Sequence, residues 1–120
     1  MARILVVDDS VSIRSMVVAT LQSGGHEVAD AGDGQLGLDV AKSDRFDAVI
    51  TDFNMPVMNG IELVENLRQL KNYRYTPILL LTTESAPEKR AMGKRAGATG
   101  WLVKPFNPDE LLSTLDRVLN

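Results

Sequence analysis

The sequence lacks cysteine and contains a single histidine, His26, among its 120 residues. Without cysteine the chain cannot form disulfides, thiolate nucleophiles, zinc–thiolate sites or iron–sulfur clusters. One histidine excludes a metal site built from several imidazoles. His26 follows two glycines and has no carboxylate or hydroxyl partner visible in the sequence, so we assign it no functional role. A metal site in this chain would have to rely on oxygen ligands.

Long apolar runs and an excess of basic residues are also missing. The N-terminal apolar run ends at two aspartates after residue 7 and is too short for a signal peptide, and residues 77–81 are too few to cross a bilayer. With 13 basic and 16 acidic side chains the net charge is −3, which argues against a nucleic acid as the main partner. We therefore expect a cytoplasmic protein that neither inserts into membranes nor binds nucleic acid.

Five short runs of apolar and β-branched residues recur along the chain, with helical patterns between them. They cover residues 4–7, 27–29, 48–51, 78–81 and 101–103. Three of them are continuously apolar, which is typical of strands buried on both faces of a parallel sheet. The run at 27–29 is weaker and is predicted to lie at an edge. The length fits one domain over residues 1–120.

Apolar residues at helical spacing fill the segments between the predicted strands. The stripes are Ile13, Met16, Val17, Thr20 and Leu21; Leu36, Val40 and Ala41; Ile61, Val64, Leu67 and Leu70; and Leu111, Leu112, Leu115, Val118 and Leu119. Capping patterns indicate the start of three helices, since Asn59, Ser85 and Asn107 each stand three residues before a glutamate. The segment Pro87–Ala96 carries four basic residues but few apolar ones, so it is predicted to be the least firmly packed helix.

Strict alternation of strands and helices predicts an α/β fold, an open parallel sheet with helices on both faces. In such sheets, sites form beyond the carboxyl ends of the strands. The polar residues that follow the predicted strands are Asp8 and Asp9, Asp52, Thr82 and Thr83, and Lys104. These side chains are therefore expected to converge on one edge of the sheet.

Three carboxylates at one edge would repel one another. Two unit charges ~5 Å apart at an effective dielectric constant of about 20 repel by roughly 3 kcal/mol. Either one carboxylate stays protonated or a cation lies between them. Because the candidate ligands are hard oxygens, Mg²⁺ is the favoured ion and Mn²⁺ a possible substitute.

Asp52 is then interpreted as a nucleophile, because a carboxylate can attack phosphorus and form an acyl phosphate. Lys104 would bind one phosphoryl oxygen, and Thr82 would donate a hydrogen bond to another. Each residue also has a plainer interpretation. Asp8, Asp9 or Ser10 could cap the first helix, Asp52 could form an Asx-turn, Thr82 could simply end a strand, and Lys104 could be a surface cation. Their joint occurrence at successive strand ends favours the phosphoryl site.

The chain resembles the receiver domains of two-component response regulators over essentially its whole length. The matching motifs are Val-Val-Asp8-Asp9-Ser10, residues 51–60 (Thr-Asp-Phe-Asn-Met-Pro-Val-Met-Asn-Gly), Leu81-Thr82 and Val103-Lys104-Pro105-Phe106. The resemblance implies a flavodoxin-like (βα)5 fold with strand order 2-1-3-4-5. The segments Thr82-Thr83-Glu84 and 97–106, together with the pair Asn54 and Glu84, are most similar to chemotaxis regulators of the CheY kind.

The resemblance also implies a role for each matching residue. Asp52 corresponds to the phosphoacceptor; Asp8, Asp9, Asp52 and the backbone carbonyl of Asn54 to the magnesium site; Lys104 to the phosphate-binding lysine; Thr82 and Trp101 to the switch positions; and Asn54 and Glu84 to positions that influence loss of the phosphoryl group. The peptide bond before Pro105 is expected to be cis. Two residues depart from the usual pattern: Trp101 stands where tyrosine is usual, and Thr83 stands where alanine is frequent.

By the same resemblance we expect a stand-alone receiver without an output domain, a signalling protein rather than a conventional enzyme. It would accept a phosphoryl group from a sensor histidine kinase of the CheA kind and would change its binding surface. The expected target is a flagellar motor switch protein or another phosphorylation-dependent partner, a phosphatase is a further partner, and the protein is expected to be a monomer. The alternatives are a phosphorelay intermediate that passes the group to a histidine phosphotransfer protein and a phosphorylation-independent binding module.

Enzymes and electron carriers of similar architecture fit the sequence less well. A flavodoxin would need a loop rich in serine, threonine and glycine after the first strand, where this chain has Asp8 and Asp9. A phosphatase of the haloacid-dehalogenase type would need the pattern Asp-x-Asp at that place. The adjacent acidic pair therefore favours the receiver interpretation.

Overall fold

The computed structural model describes residues 2–83 and 87–120. Within these residues, strands and helices alternate along the chain as the sequence predicts. The elements are β1 (Arg3–Val7), α1 (Val11–Ser23), β2 (Glu27–Ala31), α2 (Gly34–Ser43), β3 (Ala48–Asp52), α3 (Gly60–Gln69), a short 3-10 helix (Lys71–Tyr73), β4 (Ile78–Thr82), α4 (Pro87–Ala96), β5 (Gly100–Val103) and α5 (Pro108–Leu119).

The five strands form one parallel sheet with the order β2-β1-β3-β4-β5. This confirms the flavodoxin-like fold and the strand order, and it places the weakly apolar β2 at an edge. Register brings the carboxyl ends of the strands together: Val7 pairs with Thr51, and Asp52 pairs with Leu81. The residues that follow the strands therefore lie at the same edge of the sheet.

The sheet has a separate apolar core on each face, because successive side chains of a strand point to opposite sides. One core joins the sheet to α2 and α3 through Leu5, Val7, Val49, Leu38 and Leu63. The other joins it to α1 and α5 through Ile4, Val6, Ile50, Val17, Leu21, Leu111 and Leu115. Helices therefore cover both faces, as predicted.

Two apolar residues of the predicted helical stripes lie outside these cores. Met16 is 55% exposed and Leu36 is 52% exposed. In α1 the buried contacts come from Val17 and Leu21, and in α2 Leu38 is buried in place of Leu36. The stripes thus identify the helices and include the buried residues Val17, Leu21 and Ala41, but they wrongly include Met16 and Leu36.

Side-chain caps start four of the helices, and at α2 the Asp33 carboxylate accepts a hydrogen bond from the Leu36 amide at 2.8 Å. Ser10 accepts a hydrogen bond from the Ile13 amide at 3.3 Å, and Asn59 forms a reciprocal capping box with Glu62. Asn107 accepts from the amides of Asp109 and Glu110. The predicted caps at Asn59 and Asn107 are confirmed, whereas the one predicted at Ser85 lies outside the described residues.

Helix α4 has little apolar contact with the sheet. Within Pro87–Ala96, Gly93 is the buried residue. The Lys89 ammonium lies 5.3 Å from the centre of the Phe53 ring, and the Arg90 guanidinium lies 6.0 Å from the Trp101 ring. Cation–π contacts thus supplement the weak apolar packing of this helix. Within residues 2–83 and 87–120, every helix is too short or too polar to span a bilayer.

Gly60 allows α3 to begin directly against the end of β3. Its amide donates a hydrogen bond to the Phe53 carbonyl at 2.8 Å. A Cβ atom on Gly60 would collide with the Asp52 carbonyl oxygen and lie 3.0 Å from Phe53 Cα. Backbone atoms cannot move aside as a flexible side chain can. We therefore expect Gly60→Ala to lower the free energy of unfolding, measured by urea denaturation, by about 1–3 kcal/mol.

Gly25→Ala is the comparison for this prediction. Nothing lies within 4 Å of a Cβ on Gly25, but its φ is +88°. The substitution there adds backbone strain without a collision and at a distance from Asp52. Metal binding at the expected magnesium site should weaken in Gly60→Ala and stay unchanged in Gly25→Ala. Wild-type stability in Gly60→Ala would contradict the close contact.

Candidate metal centre

Three carboxylates meet at the carboxyl edge of the sheet. Asp8, Asp9 and Asp52 each place one oxygen within 4.8 Å of the others. Asp52 is the last residue of β3, and the other two follow the neighbouring strand β1. Asp8 and Asp52 are buried, whereas Asp9 is exposed. The structure therefore brings together the acidic residues that were predicted to converge because each follows or ends a predicted strand.

Lys104 reaches this acidic cluster from the end of β5. Its Nζ lies 3.0 Å from Asp8 Oδ2 and 3.1 Å from Asp52 Oδ1, and its side chain is 12% exposed. The Lys104 amide donates to the Thr82 carbonyl at 2.7 Å. The Lys104–Pro105 peptide bond is cis, the isomer that the resemblance implies. A single ammonium is thus shared by two buried carboxylates.

Hydrogen bonds hold Asp8 and Asp52 in place. The Ser10 amide donates to Asp8 Oδ1 at 2.9 Å, and the Phe53 amide donates to Asp52 Oδ1 at 2.9 Å. Asp8 Oδ2 is occupied by Lys104. Since Ser10 caps α1 with its own hydroxyl, the capping interpretation and the metal-site interpretation apply to different residues of the same turn.

The positive charge of Lys104 does not fully offset the negative charges of the carboxylates in the cluster. Burial, followed by the charge of Asp8, raises the pKa of Asp52, and the contacts of Asp52 with Lys104 and the Phe53 amide offset this only in part. For Lys104, burial lowers the pKa, but the hydrogen bond to Asp8 and the charges of both carboxylates outweigh it, so its pKa is raised. Additional positive charge at this point would stabilise the ionised Asp52.

The donor set fits a hard divalent cation. Among the described residues, the Asp9 carboxylate and Asp52 Oδ2 accept no hydrogen bond, so these oxygens remain available as ligands. Asn54 is exposed and, together with Asp9, Met55, Pro56 and Asn59, lines a cavity of about 430 Å³. Carboxylate and carbonyl oxygens beside an open space suit Mg²⁺, which keeps several of its waters.

The remaining predicted residues lie further along this edge. Thr82 is buried at the end of β4 and pairs with Val103, while Thr83 is exposed. The Trp101 ring centre lies 6.0 Å from that of Phe53 at an angle of 59°. The buried Trp101 Nε1 has no hydrogen-bond acceptor in the described part of the chain. Trp101 thus packs against the residue next to Asp52. Glu84 lies outside the described residues.

Sequence reasoning missed the contribution of Arg14. Its guanidinium donates to the Asp8 backbone carbonyl at 2.7 Å and to Asp30 Oδ2 at 2.8 Å. Arg14 stands about a turn and a half after the acidic pair, in a helix that otherwise has no charged side chain. That isolation is the one signal in the sequence that could have marked it.

Comparison with known proteins finds receiver domains and chemotaxis proteins that are similar to this chain. The model of the response regulator receiver domain family matches residues 4–116. The structure of chemotaxis protein CheY4 from Vibrio cholerae shares 58% identity over 98% of each chain, with a TM-score of 0.95. A chemotaxis protein CheY homolog of Campylobacter jejuni is 40% identical over 98% of this chain and 92% of its own length.

A receiver domain with a bound ion is also similar. The receiver domain of a sensor histidine kinase from Pseudomonas aeruginosa PAO1, with a magnesium ion coordinated in its active site cleft, shares 31% identity over 98% of this chain and 97% of its own, with a TM-score of 0.92. Because the family model spans nearly the whole sequence and the CheY relatives are aligned over nearly all of it, the chain belongs to the receiver domains of response regulators, among their CheY-like members.

Proposed function

We propose that this receiver domain accepts a phosphoryl group on Asp52 from a histidine kinase in a magnesium-dependent reaction. The observation that carries the proposal is the position of Asp52, which is buried beside two further carboxylates and 3.1 Å from the Lys104 ammonium. One of its oxygens is occupied by Lys104 and the Phe53 amide, while the described residues leave Oδ2 without a donor. We assign the Asp52 carboxylate as the nucleophile.

The transfer step exchanges one bond to phosphorus for another. An oxygen of Asp52 bonds to phosphorus while the bond between phosphorus and the donor histidine nitrogen breaks. The electron pair stays with the imidazole, and Asp52 becomes an acyl phosphate. An ionised carboxylate carries no proton, so the step needs no general base. Lys104 is placed to bind an oxygen of the incoming group.

The magnesium ion would be held by Asp8, Asp9, Asp52 and the backbone carbonyl of Asn54. When bound, the ion supplies positive charge that offsets the charges of the carboxylate and the phosphoryl group. Asp9 is exposed, whereas both oxygens of Asp8 already accept hydrogen bonds. This difference supports Asp9 as the direct ligand and Asp8 as a residue that acts through water. Dephosphorylation is a separate hydrolysis: a water oxygen bonds to phosphorus, the bond to the Asp52 oxygen breaks, and the products are inorganic phosphate and the free Asp52 carboxylate. Asn54 and Glu84 influence the rate of this step.

The output of the reaction is a changed binding surface around α4. Phe53 follows Asp52 directly, and its ring contacts Lys89 of α4 and Trp101 of β5. Because α4 has little apolar contact with the sheet, a small shift at Thr82 and Trp101 is sufficient to change its exposed face. Trp101 takes the place of the usual aromatic switch residue without its hydroxyl group.

A role in chemotaxis is supported by relatives that are named chemotaxis proteins. The corresponding partners are a kinase of the CheA kind and a flagellar motor switch protein. A second candidate is a phosphorelay intermediate, which the similarity to a receiver domain of a sensor histidine kinase favours. Binding of the phosphorylated protein to a motor switch peptide supports the first, and transfer to a histidine phosphotransfer protein supports the second.

Phosphoryl incorporation can be measured directly by intact mass at acidic pH. After incubation with acetyl phosphate and Mg²⁺, we expect the wild type to gain one phosphoryl group and Asp52→Asn to gain none. Asp39→Asn, an exposed carboxylate on α2, is the matched control and should gain the group. Chelation of Mg²⁺ should abolish the gain. A wild type that gains nothing, or an unchanged gain in Asp52→Asn, would overturn the proposal.

A further inference from the structure

Arg14 connects the edge strand of the sheet to the acidic cluster. Its Nε lies 2.8 Å from Asp30 Oδ2 on β2, and its Nη1 donates to the Asp8 carbonyl at 2.7 Å. The Arg14 side chain is 19% exposed. A charged side chain on a helix surface usually extends into solvent, whereas the Arg14 side chain lies against the edge of the sheet.

The loop after β2 leaves room for this contact. A Cβ atom on Gly32 would lie 3.3 Å from Arg14 Nη1, which is closer than side chains normally approach. Glycine at this position therefore allows the guanidinium to pass between the loop and the end of β1. The two donors of Arg14 then span Asp30 on one strand and Asp8 on the next.

Arg14 contacts the acidic cluster at the backbone carbonyl of Asp8. This oxygen belongs to the planar peptide group that also carries the Asp9 amide, so fixing the oxygen fixes the orientation of the whole group. Asp8 is held at its other polar atoms as well. Its amide donates to the Ala31 carbonyl at 3.2 Å, and its carboxylate is bound by Ser10 and Lys104.

Asp9 has no comparable support. It is exposed, and its carboxylate accepts no hydrogen bond from the residues that the structure describes. The direction of this carboxylate therefore depends on the backbone from which it projects. That backbone begins at the peptide group that Arg14 holds.

We propose that Arg14 is a positioning residue for the divalent cation: by clamping the Asp8–Asp9 peptide group, it directs the Asp9 carboxylate into the metal centre. The inference rests on the proposed function, since it assumes that the cluster binds magnesium. Arginine suits the task because its planar fork offers two donors at a fixed angle, and a lysine ammonium cannot serve Asp30 and the Asp8 carbonyl with the same geometry.

Magnesium titration of the metal-free protein tests the inference. We expect Arg14→Gln to raise the Mg²⁺ dissociation constant, measured by calorimetry, by about tenfold, the lower end of the range for residues that orient metal ligands. Arg14→Lys should weaken binding less. Asp30→Asn should weaken it least, because Arg14 still reaches the Asp8 carbonyl. At saturating Mg²⁺, Arg14→Gln should recover the wild-type extent of phosphoryl incorporation.

Arg3→Gln is the matched control, because Arg3 has the same kind of contacts at the opposite end of β1. Its guanidinium binds the Asp44 carboxylate at 2.6 Å and the Arg45 carbonyl at 3.2 Å. Arg3→Gln should lower the melting temperature without changing the Mg²⁺ dissociation constant. A merely structural role of Arg14 would give that same result in Arg14→Gln.

The inference is overturned if folded Arg14→Gln binds Mg²⁺ as tightly as the wild type, or if Arg3→Gln weakens binding equally. In both cases the wild type would still bind Mg²⁺ and gain a phosphoryl group, so the proposed function would stand. A wild type that binds no Mg²⁺ would overturn the proposed function and the role of Arg14 together.

Discussion

Replacement of Lys104 by methionine should lower the free energy of unfolding of the metal-free protein by about 3–5 kcal/mol, the usual cost of removing one partner of a buried ion pair. The Lys104 ammonium lies within 3.1 Å of both Asp8 and Asp52, and all three side chains are buried or nearly so. Methionine has a similar length and no charge. The variant therefore leaves two carboxylates close together without a counter-ion. Urea denaturation at neutral pH measures the loss.

The pH dependence of this variant separates electrostatics from packing. Burial and the charge of Asp8 raise the pKa of Asp52, and without Lys104 this carboxylate binds its proton more tightly in the folded protein than in the unfolded chain. Stability then rises as the pH falls, because protonation relieves the repulsion in the folded state. A packing defect would be independent of pH over this range. Addition of Mg²⁺ should also restore part of the lost stability, since it binds the folded state alone.

Lys42→Met is the control for the Lys104 prediction. Lys42 lies in the exposed last turn of α2, so its replacement should change the free energy of unfolding by no more than about 0.5 kcal/mol. If Lys104→Met lowers the free energy of unfolding by less than about 1 kcal/mol, the effect is no larger than that of an exposed ion pair. That result would contradict the assignment of Lys104 as the counter-ion of a buried acidic pair.

Patterns that depend on local sequence predicted the fold well. Continuous apolar runs identified the central strands, and caps such as Asn59 identified helix starts, because both features report on neighbouring residues alone. Convergence of Asp52 with Asp8 and Asp9 followed from their positions at the ends of predicted strands, since the carboxyl ends of parallel strands share an edge. These predictions required no knowledge of individual side-chain contacts.

Contacts between distant side chains could not be predicted in the same way. Arg14 would be placed in solvent by its charge, and its contact with Asp30 appears once β2 lies beside β1. Lys89 and Arg90 belong to a basic segment whose simplest interpretation is a solvated face, yet both lie over aromatic rings. In each case an arginine or lysine reaches a partner that is set by the tertiary fold rather than by spacing along the chain.

Asp52→Asn is expected to make the metal-free protein more stable at neutral pH, by about 1–3 kcal/mol, the usual cost of a buried polar group that is incompletely compensated. Burial and the charge of Asp8 raise the pKa of Asp52 in the folded protein. The folded state therefore binds more protons than the unfolded state, and the contribution of Asp52 to stability falls as the pH rises from its unfolded to its folded pKa. Asparagine is uncharged, so this decline should disappear in the variant.

Magnesium should reduce this difference in stability between the variant and the wild type. Ligand that binds the folded state at 100 times its dissociation constant stabilises by about 2.7 kcal/mol. The wild type should gain this amount, and Asp52→Asn should gain less because it has lost one anionic ligand. Comparison of urea denaturation with and without Mg²⁺ at several pH values measures both effects. The residue that destabilises the metal-free protein would then be the one that makes it responsive to the ion.

Asp44→Asn provides a control with the opposite sign. The hydrogen bond from Arg3 holds the pKa of the exposed Asp44 at about 2, below its ordinary value of 3.8. Asp44 therefore contributes stability above about pH 4, which is lost as the pH falls towards 2. Removal of its charge should lower stability at neutral pH and leave the gain from Mg²⁺ intact. If Asp52→Asn also lowers stability at neutral pH, the prediction is wrong. The ion pair with Lys104 would then outweigh the burial of Asp52 and its repulsion by Asp8, and Lys104 alone would neutralise the metal-free site.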